Sequence, residues 1–248
     1  VMDNEALLKN DPGYVNMLNN LSDGLRQAWR DGNWDMMAGQ YFTEFNRERH
    51  VVEPFHIPEH WKKYRAIDYG LDCCACVWAA VDEHGTYYIY REYAYENKTI
   101  SEGSGDILSL SENEHILYTV APPDIWGRSQ ESGKAKADLF LDAGLSLTKG
   151  SANREAGWLA IKELLKSDRI KFFENCTELT DCLTALQRDP ARPTDCMSEP
   201  HEITHLPDAL RYFVLQYITP SKEKKSDKSE MEKYRDKLIR KNRRRRGI

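Results

Sequence analysis

No run of about 18 consecutive apolar residues occurs in the 248-residue chain, so no membrane-spanning helix is expected. The first residues, Val1-Met2-Asp3-Asn4-Glu5, are acidic and lack an apolar h-region, so no secretory leader is expected. Met2 follows a valine rather than starting the chain, which suggests a piece of a longer protein. Six cysteines stand at 73, 74, 76, 176, 182 and 196. Cys73 and Cys76 have C-x-x-C spacing, but no second close pair completes a four-ligand zinc site. Because Cys73-Cys74-Ala75-Cys76 leads into an apolar segment, these read as small core residues in preference to metal, disulfide or redox sites. No internal repeat is visible.

What the chain does have is charge, unevenly spread. Charged residues make up 30% of it and hydrophobic residues 40%, enough for one α/β core with appendages or at most two small domains. The net charge is −5, but residues 221–248 carry 13 Lys+Arg against 5 Asp+Glu, leaving 22 against 35 for the rest. An acidic body with a basic tail argues against a general nucleic-acid sponge. It suits an enzyme whose carboxylates collect divalent cations that then meet phosphates.

Three regions are expected: a lead-in over 1–60, a body over 61–220 and a basic, flexible or marginally helical tail over 221–248. In the lead-in, Asp11-Pro12 and Ser22 mark two short helix starts, and Val51 to Pro58 is extended. In the body, Tyr64–Asp68, Ala75–Val81 and Thr86–Tyr93 read as strands, the last two joined by the turn Asp82-Glu83-His84-Gly85. Helix and strand then alternate: helix Thr99–Leu110, strand His115–Val120, helix Gly133–Ala143 stopped by Gly144, strand Leu145–Thr148, helix Asn153–Leu165, strand Ile170–Phe173 and helix Cys176–Gln187. After a proline-containing loop over 189–202 comes a last apolar helix, His205–Ile218. An antiparallel meander followed by this alternation predicts an α/β fold with a mixed, RNase H-like sheet flanked by helices.

Three aspartates fall where such a fold gathers chemistry. Asp68 interrupts the strand-like Tyr-Arg-Ala-Ile-Asp-Tyr-Gly; it either starts a turn or is compensated there by a metal ion. Asp124 follows Pro122-Pro123 at a strand end, where ligands of open α/β sheets collect; the alternative is an ordinary turn. Asp208 lies in the first turn of the last helix, where it either meets the helix dipole or joins the other two. His205, three residues earlier, can face the same side as Asp208, or can cap and pack. Converging carboxylates repel unless cations hold them, and two hard divalent ions about 4 Å apart form the clamp for phosphodiester hydrolysis. Oxygen ligands favour Mg²⁺ or Mn²⁺. Asp72 and Glu92 are accessory candidates, each more readily read as a solvated edge charge.

Asp-Tyr-Gly (68–70), Tyr-Arg-Glu (90–92), Pro-Asp-Ile-Trp-Gly-Arg (123–128), Asn-Arg-Glu-Ala-Gly-Trp (153–158) and His-Leu-Pro-Asp-Ala-Leu-Arg-Tyr (205–212) together resemble the nuclease part of tailed-phage terminase large subunits. Asp3-Asn4, Asp11-Pro12-Gly13-Tyr14 and Gly32-Asn33-Trp34-Asp35 resemble the stretch that joins its ATPase part to the nuclease. The resemblance implies an RNase H-like endonuclease that cuts concatemeric viral DNA during packaging with Mg²⁺ or Mn²⁺. It implies Asp68, Asp124 and Asp208 as metal ligands and His205 as an active-site neighbour, although some members carry Glu where Asp124 stands. It further implies double-stranded DNA, the terminase ATPase domain, the small terminase subunit and the portal protein as partners, in the cytoplasm of a bacterial host. The chain has no Walker A loop, so no ATPase activity is expected of it. Arg128, Lys134 and Lys136 are candidate phosphate contacts, as are Arg243, Arg244, Arg245 and Arg246; solvated charges are the alternative for both groups. Nothing resembles a base-reading element. A different RNase H-like enzyme, resolvase or integrase-like, and a non-catalytic module docking DNA or the portal remain open.

Overall fold

The computed structural model describes residues 39–70, 73–130 and 133–218. The early helix starts, Asp72 and the basic tail lie outside these residues. A seven-stranded sheet in the order β1-β7-β4-β3-β2-β5-β6 forms the centre. Its strands are β1 (Val51–Val52), β2 (Lys62–Tyr69), β3 (Cys73–Val81), β4 (Tyr87–Glu96), β5 (Ile116–Ala121), β6 (Thr148–Lys149) and β7 (Ile170–Phe173). β2, β3 and β4 form the antiparallel meander, while β5, β6, β7 and β1 add parallel at the two sides. The α/β architecture with a mixed sheet is therefore the one expected. Among the described residues, no helix is long and apolar enough to cross a membrane.

The helices are α1 (Arg47–His50), α2 (Ile100–Ser109), α3 (Lys136–Asp142), α4 (Arg154–Lys166), α5 (Thr177–Ala185) and α6 (His205–Ile218). β3 is buried almost end to end, and its small Cys and Ala side chains let layers pack closely on both faces. Cys74, Cys76, Cys176, Cys182 and Cys196 are all buried, as expected of small core residues. On the α2 side, Arg65 is buried and reaches Thr119 Oγ1 (3.1 Å) and Ser111 Oγ (2.8 Å), and Trp78 Nε1 donates to the same Ser111 Oγ (2.9 Å). This network pins the end of α2 to the sheet. On the other face lies α6, buried from His205 to Leu215 and packed on β2, β3 and β5. Such all-round burial explains why α6 is largely apolar, with His205, Asp208 and Arg211 as its buried polar exceptions.

Residues 41–57, from the segment read in sequence as a lead-in, supply Tyr41, Phe42, Phe45 and Ile57 to the core. Phe42 meets Trp158 edge-on at 5.8 Å. His50 is fully buried: its Nδ1 accepts from Asn46 N and its Nε2 donates to Leu165 O, both at 2.9 Å. Those two partners fix one neutral tautomer, and burial lowers the His50 pKa.

One expected strand differs. Leu145 does not start β6; it is buried, and its N–H bonds to Phe140 O (2.9 Å) while Gly144 N–H bonds to Leu141 O (2.9 Å). With Gly144 at φ 87°, this closes α3 in a Schellman motif, which postpones the strand to Thr148. Likewise α3 begins only at Lys136, because Arg128 and Ala135 are held in a bridge and the Asp138 carboxylate caps Ala135 N.

Candidate active site

β2 and β5 run parallel as neighbours, with Ala66 opposite Val120. Asp68 lies two residues past that pair near the end of β2, and Asp124 lies four past it, in a 3₁₀ turn over Pro123–Trp126. Both therefore stand at the carboxyl ends of adjacent parallel strands, where an open α/β sheet exposes ligand-binding groups. α6 brings His205 and Asp208 against this end of β2. His205 Nδ1 lies 2.9 Å from Asp68 Oδ2. Burial raises the Asp68 pKa and the nearby Asp208 charge adds to this, while the His205 hydrogen bond opposes it.

Asp208 is also buried, but two arginines engage it. Arg154 Nη1 donates to both of its oxygens (3.1 and 2.9 Å), and Arg211 Nε donates to Oδ1 (2.6 Å). Arg154 opens α4, whose start Asn153 caps by accepting from Ala156 N (3.1 Å). Arg154 Nε also donates to Asp195 Oδ1 (2.8 Å), an oxygen that further accepts from Trp158 Nε1 and Cys196 N. Both guanidinium groups lie over the Trp158 ring, at 5.0 Å for Arg154 and 5.2 Å for Arg211. Burial disfavours the Arg154 charge, but Asp208, Cys196 and Asp195 outweigh it and hold its pKa above the ordinary value. Arg211 Nη1 is buried without a hydrogen-bond acceptor.

The structure thus brings Asp68, His205 and Asp208 into one cluster and places Asp124, exposed, at the neighbouring strand end. Three carboxylates offer the hard oxygen donors that a divalent cation takes, and a cation would offset the cost of ionising Asp68 beside Asp208. Among the described residues, no three His, Cys, Asp or Glu side chains already form a group able to enclose an ion. Glu92 is otherwise engaged: its two oxygens accept from the backbone N–H groups of Glu178 (2.9 Å) and Leu179 (2.8 Å) at the start of α5. It caps a helix, and burial raises its pKa.

Of the candidate phosphate contacts, Lys136 lies over the Tyr69 ring at 4.9 Å, on the face of β2 away from Asp68. Lys134 pairs with Asp142 (2.8 Å), and Arg128 is exposed next to the Asp124 turn. Arg243 to Arg246, like Asp72, lie outside the described residues. Three further residues went unassigned in sequence. Lys149 lies over the Trp126 ring (5.9 Å) close to Asp124; its signal was its place one residue before Gly150 at a strand end. Arg154 and Asp195 brace Asp208, and only Arg154 lay in a motif singled out from sequence.

No protein-family model and no curated protein matches the chain. Solved structures do. The nuclease domain of the phage P22 large terminase aligns with a TM-score of 0.61 at 20% identity, over 73% of this chain and 93% of that one. The large terminase of a thermophilic bacteriophage aligns at 0.60 and 22%, over 71% of this chain and 45% of its own length, so the chain spans about half of that protein. The large terminase nuclease of another thermophilic phage, G20c, aligns at 0.53 and 15%, over 73% and 98%, and that nuclease is also known with cobalt and with magnesium bound. The chain has the RNase H-like α/β fold of the nuclease domains of phage large terminases.

Proposed function

We propose that this chain is the nuclease domain of a phage large terminase, a divalent-metal-dependent endodeoxyribonuclease that cuts concatemeric viral DNA during packaging. The observation that carries the reading is the meeting of Asp68, His205 and Asp208 at the carboxyl end of β2, beside the strand that delivers Asp124. The metal-bound G20c structures add support for a divalent ion on this fold. Asp68, Asp208 and Asp124 would hold Mg²⁺ or Mn²⁺, two ions in the full site, and their chemistry would be to activate water and to stabilise the leaving 3′ oxygen. The chain's own groups then have defined roles. His205 orients the Asp68 carboxylate, and the two arginines orient that of Asp208. Lys136, Lys149 and Arg128 line the same end of the sheet and suit backbone phosphates of double-stranded DNA, without base contacts. The tail arginines 243–246 would add sequence-independent attraction. The ATPase domain, the small terminase subunit and the portal would be its partners, in the host cytoplasm.

The arginine pairing of Asp208 favours one other reading, a docking module that keeps the fold and does not cut. Incubation of supercoiled plasmid with Mn²⁺, with and without EDTA, separates the two. Nicking and linearisation are expected, abolished by EDTA and lowered roughly 10²-fold or more by Asp68→Ala or Asp208→Ala. Cutting that survives both substitutions rejects the assigned site. A wild-type chain that never cuts with any divalent ion favours the docking module.

A further inference from the structure

We propose that Arg154 is a positioning residue that fixes Asp208 as a one-oxygen ligand for the divalent cation, and that Asp195 holds Arg154 ready for this. The inference rests on the reading that Asp68 and Asp208 hold that cation.

A carboxylate has about four acceptor sites, two on each oxygen. On Asp208, Oδ1 accepts from Arg154 Nη1 and from Arg211 Nε, which uses both of its sites. Oδ2 accepts from Arg154 Nη1 alone, so among the described residues one site on Oδ2 is left. The arginines therefore let Asp208 present one lone pair and forbid the two-oxygen grip that a free carboxylate could adopt. Arg154 reaching both oxygens with a single nitrogen also stops the carboxylate from rotating about its own bond.

A positive charge beside a ligand would ordinarily repel an incoming cation. Here that charge is already spoken for. Arg154 Nε is 2.8 Å from Asp195, whose side chain is 4% exposed and is itself locked by Trp158 Nε1 and Cys196 N. The Trp158 ring supports the guanidinium from its face. Asp195 thus offsets most of the charge of Arg154 while leaving its contact with Asp208 in place. For Arg154 the outcome is orientation with little repulsion, while Arg211, bonded to Oδ1 of Asp208, keeps its own charge beside the site. The loop over 189–202 thereby gains a role, since it carries Asp195 to the site. Groups that orient metal ligands in this way are typically worth 10- to 100-fold in metal affinity.

Mn²⁺ binding by titration calorimetry tests the proposal without reference to cutting. Wild type, Arg154→Ala, Arg154→Lys and Asp195→Asn are compared, with folding checked by circular dichroism. Arg154→Ala is expected to weaken Mn²⁺ binding roughly 10- to 100-fold. Arg154→Lys should recover part of that loss, because an ammonium keeps the charge but not the planar fork. Asp195→Asn should shift affinity in the same direction as Arg154→Ala. If Arg154→Ala does not fold, Arg154→Lys and Asp195→Asn carry the test. Folded variants that bind Mn²⁺ as tightly as wild type, or more tightly, overturn the positioning role and leave the metal site standing. A wild-type chain that binds no Mn²⁺ overturns the metal site and this inference with it.

Discussion

Gly157 is where packing and the candidate site meet. A Cβ placed on Gly157 would stand 2.3 Å from Arg211 Cγ and 3.0 Å from its Cδ. Arg211 has nowhere to retreat. It is 3% exposed, its Nε is bonded to Asp208, and its guanidinium sits 5.2 Å from the Trp158 ring and 4.2 Å from the Tyr212 ring. In an open helix, Gly→Ala stabilises by about 1 kcal/mol. Against that, overpacking costs about 1–3 kcal/mol, and losing a charged hydrogen bond costs about 1.5–3 kcal/mol. Gly157→Ala should therefore destabilise the fold by about 1.5–5 kcal/mol, a fall in melting temperature of roughly 3–20 °C for a domain of this size. Gly105 provides the control. It lies exposed in α2 with nothing within 4 Å of its would-be Cβ. Gly105→Ala should raise the melting temperature by roughly 1–4 °C. Thermal unfolding followed by circular dichroism reads both. A Gly157→Ala variant that melts higher, as Gly105→Ala should, would show that Arg211 has room to move and that Asp208 is not rigidly held.

Other expectations follow from single contacts. His50 has a folded pKa lowered by burial, so its contribution to stability is complete above the ordinary histidine value of about 6.5 and is lost as pH falls below it. Urea unfolding at a series of pH values should show that decline, and His50→Gln should flatten it; an unchanged slope would mean that His50 titrates without affecting the fold. Glu92→Ala should cost about 1–3 kcal/mol by removing the acceptor for Glu178 and Leu179 N–H, yet leave Mn²⁺ affinity unaltered. Weaker Mn²⁺ binding by the folded variant would return Glu92 to the metal site. Deleting residues 221–248 should weaken DNA binding and flatten its dependence on salt, since each phosphate contact contributes a slope of about 0.9. A slope identical to that of the full chain would reject a phosphate role for the tail.

The sheet was legible because its pattern is local. Alternation and turn residues located the meander, and Asn153, Gly144 and Pro207 punctuated helices near their observed ends. The β6 boundary was not, because the hydrogen bond of Leu145 to Phe140 competes with strand formation and leaves no separate mark in composition. At the site, Asp68, Asp208 and His205 could be named from context, but their partners could not. Helical spacing put His205 and Asp208 on one side, yet His205 turns to Asp68 while Asp208 turns to Arg154 and Arg211. Arg154 lies 54 residues from Asp208, and Asp195 sits in a loop with no periodicity to read. The helix contact of Glu92 was hidden for a similar reason: a strand-edge acid looks alike whether it faces solvent, an ion or the start of a helix 86 residues away.

In the proposed site Asp68 and Asp208 hold a divalent cation, with Asp124 drawn in to complete it. Diffraction from crystals soaked in Mn²⁺, recorded for the anomalous signal of manganese, tests it most directly. Manganese is expected on Asp68 and on Oδ2 of Asp208, with the Asp124 side chain moved from its exposed position to join them and Arg154 still bonded to Asp208. Manganese absent from this cluster at saturating concentration, or bound elsewhere with Asp208 held as before, would contradict it.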